Sequence, residues 1–480
     1  MQGKRAYLSE DWLALWLGLL IFFVSLGTLV GADLLGWVVK TKVYTDIAES
    51  LGPVSSAYSG LSGPASLLVT YLFFTVLMAA GAAALGADVK RFVKGFTAVF
   101  VISYVCWILG SYAHIAATSN ELDKHGIGWS LNLTPEAGYI IALMAGLLVG
   151  NFLPKLGASW KEAIRPELYV KTAVVLLGGT LAVKAAARGG LVKMVMFQGM
   201  GAILVAYLIF WAVVYYVARR WFRFSREWSV PLASGISICG VSAAIATGSA
   251  IRARPVVPIM VSSLVVVFAV VELVLLPFLA QTFLWQEPMV AGSWMALAVK
   301  TDGAAVASGA VADALIRAKA LEEAGIRYEP DWIMNVSAMV KVFIDIFIGV
   351  WAFILAWIWS AKIERRNAGD TVKAREIWDR FPKFVLGYAG TFLILLGVLT
   401  VLPDLLDRAR VAMDAANVFR KSFFVMTFFT IGVVSNFRKL WEEGIGKLAA
   451  VYVLCLFGFI IWVALAISWI FFHGIYPPTM

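Results

Sequence analysis

An all-α, polytopic membrane protein with about thirteen transmembrane helices is the fold class that this sequence predicts, on three observations. Hydrophobic residues make up 61% of its 480 residues and charged residues only 15%, with a mean hydropathy of +0.84, which excludes a water-soluble domain of this length. Apolar runs recur along the whole chain, each near the ~20 residues that a helix needs to cross ~30 Å of hydrocarbon. The basic residues behind the net charge of +10 sit in short intervals between those runs, which assigns them to membrane orientation rather than to nucleic acid.

In order, the runs are Trp12–Trp37, Ala65–Gly86, Phe96–Ile115, Ala137–Leu153, Tyr169–Val183, Val195–Val217, Val230–Ala250, Val257–Leu279, Trp294–Leu315, Val336–Ile358, Phe384–Leu402, Phe423–Ser435 and Leu448–Phe471. The first is long, carries Asp33 and lacks a small-residue cleavage site behind it, so it is expected to be retained as a helix. Residues 1–136, with three spans and the polar loop from Asn120 to Pro135, read as an N-terminal extension, and residues 137–480 as a ten-helix core. Lys171 lies near a helix start, from which it can reach the interface, and is uninformative about function.

Placing Lys4 and Arg5 in the cytoplasm and alternating thirteen times sets Lys90, Arg91, Arg219, Arg220, Arg223, Arg226, Lys362, Arg365, Arg366, Arg438 and Lys439 on the cytoplasmic side of a bacterial inner membrane. The C-terminus then lies outside. The interval after Leu279 breaks the pattern, because it holds Glu287 and no basic residue, which marks one span there as a candidate re-entrant segment.

Much chemistry is excluded. Cys106, Cys239 and Cys455 stand far apart in apolar runs, without the spacing of a disulfide framework or a zinc site, and there are only three histidines. No Gly-rich phosphate loop is present, and Ser237 and Cys239 have no histidine in their segment to act as base. The chain is therefore not expected to be an enzyme or to carry a metal or cofactor.

Two apolar runs are interrupted where a lipid-facing helix would not be. The first holds Ser234, Gly235, Ser237, Cys239, Gly240 and Ser242 in mid-span, and opening a helix there would free backbone N–H groups. With the hydroxyls of Ser237 and Ser242 and the positive end of a half-helix, these groups form an anion cradle without formal charge; the same small residues also serve close helix packing. The second holds Lys300, Thr301 and Asp302 ahead of Gly303 and Ser308. Ionisable residues at membrane depth mark functional sites because their burial is expensive, although Lys300 and Asp302 can also simply pair. Lys341 and Asp345 share a helix face at i and i+4, and Glu272 stands alone in an apolar helix. Leu177-Gly178-Gly179-Thr180-Leu181 is similar to Ile431-Gly432-Val433-Val434, a hint of internal repetition.

Leu176-Leu177-Gly178-Gly179, Ser237-Ile238-Cys239-Gly240, Val306-Ala307-Ser308-Gly309 and Met339-Val340-Lys341-Val342, in this order, resemble the signature of the sulfate exporter family over about Ala137 to Phe471. The resemblance implies the bile-acid-transporter and sodium/proton-antiporter fold, an inverted-repeat core whose two broken helices, Ser237–Ser242 and Lys300–Ser308, cross. It also implies secondary active export of a small oxyanion of the sulfate or sulfonate class by alternating access. Ser237, Cys239, Gly240, Ser242, Lys300, Thr301 and Ser308 are the expected substrate contacts, and Asp302, Glu272, Lys341 and Asp345 the expected ion-coupling groups. One departure stands out: where the family has a His followed by Asp or Glu, this chain has Lys300-Thr301, with Asp302 one position later. A permanent cation in place of an imidazole leaves open a proton- or sodium-coupled importer or exchanger of another organic anion. A non-transporting scaffold whose first three spans dock a partner, and a homo-oligomer, are further expectations to weigh.

Overall fold

The computed structural model describes residues 9–117, 121–131, 133–135, 137–240, 242–251, 253–254, 256–359, 382–435 and 446–480. The basic residues Lys362, Arg365, Arg366, Arg438 and Lys439 lie outside these. Among the described residues, nine helices are long and apolar enough to cross a membrane. The chain forms two compact units: residues 1–193, 317–327 and 383–435, and residues 194–316, 328–382 and 436–480.

The first unit contains helices α1 (Glu10–Ser25), α2 (Gly63–Ala84), α3 (Val89–Gly110), the short α4 (Ala113–Ala116), α5 (Ala137–Phe152) and α6 (Pro154–Ser159), and the start of α7 (Pro166–Tyr216). Two later helices, Lys383–Val401 and Leu406–Val434, also belong to it. Starts are set by local chemistry: Ser9 caps α1 by accepting from Trp12 N at 3.4 Å, Asp88 caps α3 through Arg91 N at 3.1 Å, and Pro64 opens α2. Helix Leu406–Val434 packs along α5 at backbone contact, because a side chain on Gly432 would run into the Leu143 carbonyl and one on Gly146 into the Phe429 carbonyl. Gly178 makes the same kind of approach to the Tyr388 carbonyl, so both segments of the suspected repeat serve close helix packing. Lys171, near the start of α7, is largely buried and pairs with Asp11 at 2.7 Å and with Glu167 at 3.5 Å. A two-stranded antiparallel sheet, β1 (Val39–Thr41) with β2 (Leu51–Pro53), follows α1, an element the helical reading did not anticipate.

Residues 184–194, between two expected spans, are helical as well, and α7 continues through them into the second unit. Lys184 and Arg188 interrupt the hydropathy there without interrupting the helix.

The second unit continues with α8 (Arg226–Ser237), α9 (Ser242–Ala250), α10 (Val256–Phe283), α11 (Pro288–Ala298), α12 (Asp302–Ala324) up to residue 316, and α13 (Trp332–Ile358). Calling the two later helices of the first unit α14 and α15, it closes with α16 (Gly446–Cys455) and α17 (Ile461–Phe472), joined by a π-turn.

Val230–Ala250 and Trp294–Leu315 are both broken, as the sequence suggests, but the structure differs from the expected crossing in how the chain continues after each break. At 1.5 Å per residue, α8, its break and α9 laid end to end would hold their outer ends roughly 40 Å apart. Instead Arg254 donates from N and Nε to Glu227 Oε1 at 2.8 and 3.0 Å, and Val230 packs with Ile251. The segment turns back at residues 238–240 into a hairpin. The same test applies to α11 and α12, which end to end would span roughly 60 Å. Glu287, before α11, accepts from His473 Nδ1 at 2.9 Å and Gly474 N at 3.1 Å, while Tyr328, past α12, bridges to Thr479 and Glu329 N donates to Pro478 O at 2.8 Å. Six residues of tail reach about 20 Å at most, so α12 also turns back, at residues 299–301.

The hairpins stand on opposite ends of α13. Asp313 of α12 accepts from Asp331 N and Ile333 N at 3.0 and 2.9 Å where α13 begins, and Leu355 near its other end packs with Val230 and Ile251. The expected crossing of two broken helices is replaced by two hairpins meeting tip to tip.

Two outcomes test this architecture. Gly432→Ala should lower the melting temperature of the detergent-purified protein, by the equivalent of about 1–3 kcal/mol for forced overpacking, whereas Gly397→Ala, with nothing near its Cβ, should not. Single cysteines at Arg226 and Arg254 should react with an impermeant maleimide from one membrane face, and those at Gln286 and Glu323 from the other. Labelling of the first pair from opposite faces would restore the crossing helix.

Candidate functional site

The breaks arise where the sequence cannot hold a helix against its neighbours. A Cβ at Gly240 would overlap the Val265 side chain of α10, so only glycine lets the first tip seat there. The tips are joined directly: Gly240 N donates to the Lys300 carbonyl at 2.6 Å.

Each break leaves two half-helix ends at the junction, carbonyl ends from α8 and α11 and N–H ends from α9 and α12. Cations occupy the carbonyl ends. Lys341 Nζ of α13 donates to Ile238 O at 3.1 Å and to Val299 O at 3.3 Å, capping both half-helices with one ammonium, and lies 3.9 Å from Asp302 Oδ1. Lys300 Nζ donates to Leu297 O in the last turn of α11 and lies over the Phe210 ring, 5.1 Å from its centroid.

The carboxylates are held equally firmly. Glu272 of α10 accepts from Lys300 N at 3.0 Å and from Tyr452 OH of α16 at 2.6 Å. Asp302, in the first turn of α12, accepts from Cys239 Sγ at 3.0 Å, and Thr301 Oγ1 accepts from Ala304 N at 3.2 Å as the cap of that helix. Glu272, Lys300, Asp302 and Lys341 are all at most 6% exposed, and their two positive and two negative charges balance.

Of the eleven residues singled out from sequence, Cys239, Gly240, Glu272, Lys300, Asp302 and Lys341 are linked in one network, and Thr301 caps its edge. The ion pair to Asp302 is made by Lys341, not by its neighbour Lys300. Ser237 ends α8 and Ser308 lies in the second turn of α12; both are buried, and neither hydroxyl has a hydrogen-bond partner among the described residues. The side chains of Ser242 and Asp345 lie outside those described. Tyr452 and Phe210 were missed, because each is one aromatic among many in an apolar run and only the fold brings it to the charges.

A family model described as "Conserved hypothetical protein 698" matches residues 94–451. A UPF0324 membrane protein of Nitrosomonas europaea is 42% identical over 98% of this chain and 97% of its own. A UPF0324 membrane protein of Rhodopirellula baltica is 26% identical over 90% of this chain and 72% of its own, and a protein of Archaeoglobus fulgidus is 47% identical over 31% of this chain and 91% of its own.

Removing the shared ammonium should unfasten both tips at once. Lys341→Met strips two buried carbonyls of their donor and leaves Asp302 without its cation, a loss of about 3–5 kcal/mol by analogy with broken buried pairs. The expected result is a melting temperature well below that of the wild type, and an unchanged one would show that Lys341 does not hold the junction.

Proposed function

This chain belongs to the conserved hypothetical protein 698 family of UPF0324 membrane proteins, and from that premise and the chemistry of the hairpin junction we propose that it is a secondary active transporter exporting a small oxyanion, of the sulfate or sulfonate class, by alternating access. The observation that carries this reading is the pair of buried hydroxyls, Ser237 and Ser308, which have no hydrogen-bond partner among the described residues, in segments whose formal charges are already matched.

Buried hydroxyls without partners are costly, by about 1–3 kcal/mol each, and are retained where something else satisfies them. The N-terminal ends of α9 and α12 both open at the junction, and such ends favour anions through free N–H groups and the helix dipole. In this reading the oxyanion takes the Ser237 and Ser308 hydroxyls and those N–H groups. Lys300 and Lys341 keep the carbonyl ends covered, so that negative charge faces only the cradle.

A charge-balanced cluster gains net charge when an anion enters, and in a low-dielectric site that gain opposes binding. A co-bound proton or sodium ion at Asp302 or Glu272 restores the balance and makes these the coupling groups. The same carboxylates support the second reading, a proton- or sodium-coupled importer or exchanger of another organic anion.

Of about thirteen apolar segments, two are then re-entrant, and a hairpin followed by a long helix occurs twice, as α8–α9 with α10 and as α11–α12 with α13. Their entry from opposite ends of α13 supports an inverted repeat. The arginines Arg219, Arg220, Arg223, Arg226 and Arg254 around the first hairpin base favour the cytoplasmic face of an inner membrane. Glu287, at the second base, then lies outside with the C-terminus, and no basic residue is needed there.

A thermal-shift screen of the purified protein with sulfate, sulfite, thiosulfate and sulfoacetate tests the site. One of these should raise the melting temperature by mass action, and Ser237→Ala with Ser308→Ala should weaken its binding about tenfold or more. Stabilisation that survives the double substitution, or no stabilisation by any oxyanion, would rule the cradle out. Proteoliposome flux under imposed proton and sodium gradients separates export from coupled import.

A further inference from the structure

In the first unit, far along the chain from the hairpin segments, a cavity of about 300 Å³ opens between strand β1, helix α3 and helix α15. Its charged lining comes from Lys40 of β1 and from Asp414 and Lys421 of α15, with Asn417 between the last two and Trp107 of α3 beside them. Asp414, Asn417 and Lys421 are spaced by three and four residues, so they share one helix face, with Asp414 and Lys421 about 10 Å apart along the axis. Lys421 Nζ lies 6.0 Å from the Trp107 ring centroid.

The walls are fastened. Trp107 Nε1 donates to Thr41 Oγ1, Tyr104 OH is hydrogen-bonded to Ser422 Oγ at 2.6 Å, and β1 is paired with β2. The cavity is therefore a built feature of the fold, and its volume lies at the small-molecule end of ligand sites. Its remaining lining is largely valine, from Val39, Val43, Val54, Val418 and Val425.

We infer that this cavity binds a small zwitterion of the amino acid or aminosulfonate class. The ligand's carboxylate or sulfonate meets Lys421 and Lys40, its ammonium meets Asp414, and its short carbon chain lies against the valines, while the Asn417 side-chain oxygen is held by Arg420 Nε at 2.6 Å. Opposite charges at the two ends of one helix face suit a ligand that carries both signs. A simple anion would leave the Asp414 carboxylate beside it, and a simple cation would face two lysines.

The full-length protein in detergent is titrated with β-alanine and taurine, the carboxylate and sulfonate members of the class, and with propionate and propylamine as single-charge controls. At least one zwitterion should raise the melting temperature while neither control does so at equal concentration. Lys421→Gln and Asp414→Asn should each abolish that shift, and the exposed Lys40→Gln, which disturbs no packing, should weaken it if either of those variants fails to fold. The Ser237→Ala, Ser308→Ala double variant should keep the shift, which separates this cavity from the hairpin junction. No shift from either zwitterion, an equal shift from propionate, or a shift that survives Lys421→Gln and Asp414→Asn would overturn the assignment.

Discussion

Four helix ends brought together in a buried place must all be satisfied by something other than water, and the second unit is organised around meeting that demand. A backbone group left unpaired in hydrocarbon costs several kcal/mol, so a broken helix survives there only if its partners arrive from elsewhere in the chain. Lys341 covers carbonyls on both tips at once, Lys300 covers one more, and the backbone bond from Gly240 to Lys300 closes one tip on the other. Glu272 and Tyr452 then fix the Lys300 peptide from the far side. The consequence is an asymmetry: the carbonyl ends are covered by cations, whereas the N–H ends are closed from within their own segments, Ala304 N on Thr301 Oγ1 and Ala243 N on the Cys239 carbonyl.

The membrane class was legible in the sequence because lipid imposes a length and a composition that few other environments share. The breaks were legible as well, since Gly240 among hydroxyls and Lys300-Thr301-Asp302 in apolar surroundings have no place in a lipid-facing helix. What could not be read was whether the chain passes straight on at a break or turns back. That choice rests on contacts such as Glu227 with Arg254 and Val230 with Ile251, and a hydropathy window scores both outcomes alike. One clue was present: the acidic, lysine-free interval around Glu287 fits poorly with strict alternation and well with a hairpin. Tyr452 was beyond reach, because it meets Glu272 across 180 residues and no local pattern encodes that distance.

The first unit answers a different demand. Its helices carry few buried charges and associate through backbone contact at Gly146, Gly178 and Gly432, the kind of packing that holds helices together where lipid removes the hydrophobic drive between them. The glycines that suggested a sequence repeat are explained by this packing, whereas the two hairpins of the second unit have sequences that look little alike. Similar shapes there come from similar obligations, a sharp turn and a capped end, met by different residues.

The tail that latches Glu287, Tyr328 and Glu329 also has a meaning in time. During synthesis the second hairpin leaves the ribosome long before His473 to Thr479 do, so its base stays unlatched while the intervening helices are made. Until then the carboxylate of Glu287 lacks His473, and nothing from the tail holds α11 and the loop after α12 together. The junction waits in the same way for Tyr452, which reaches Glu272 from 180 residues further on, so both ends of the second hairpin are fully secured only once segments made after it arrive.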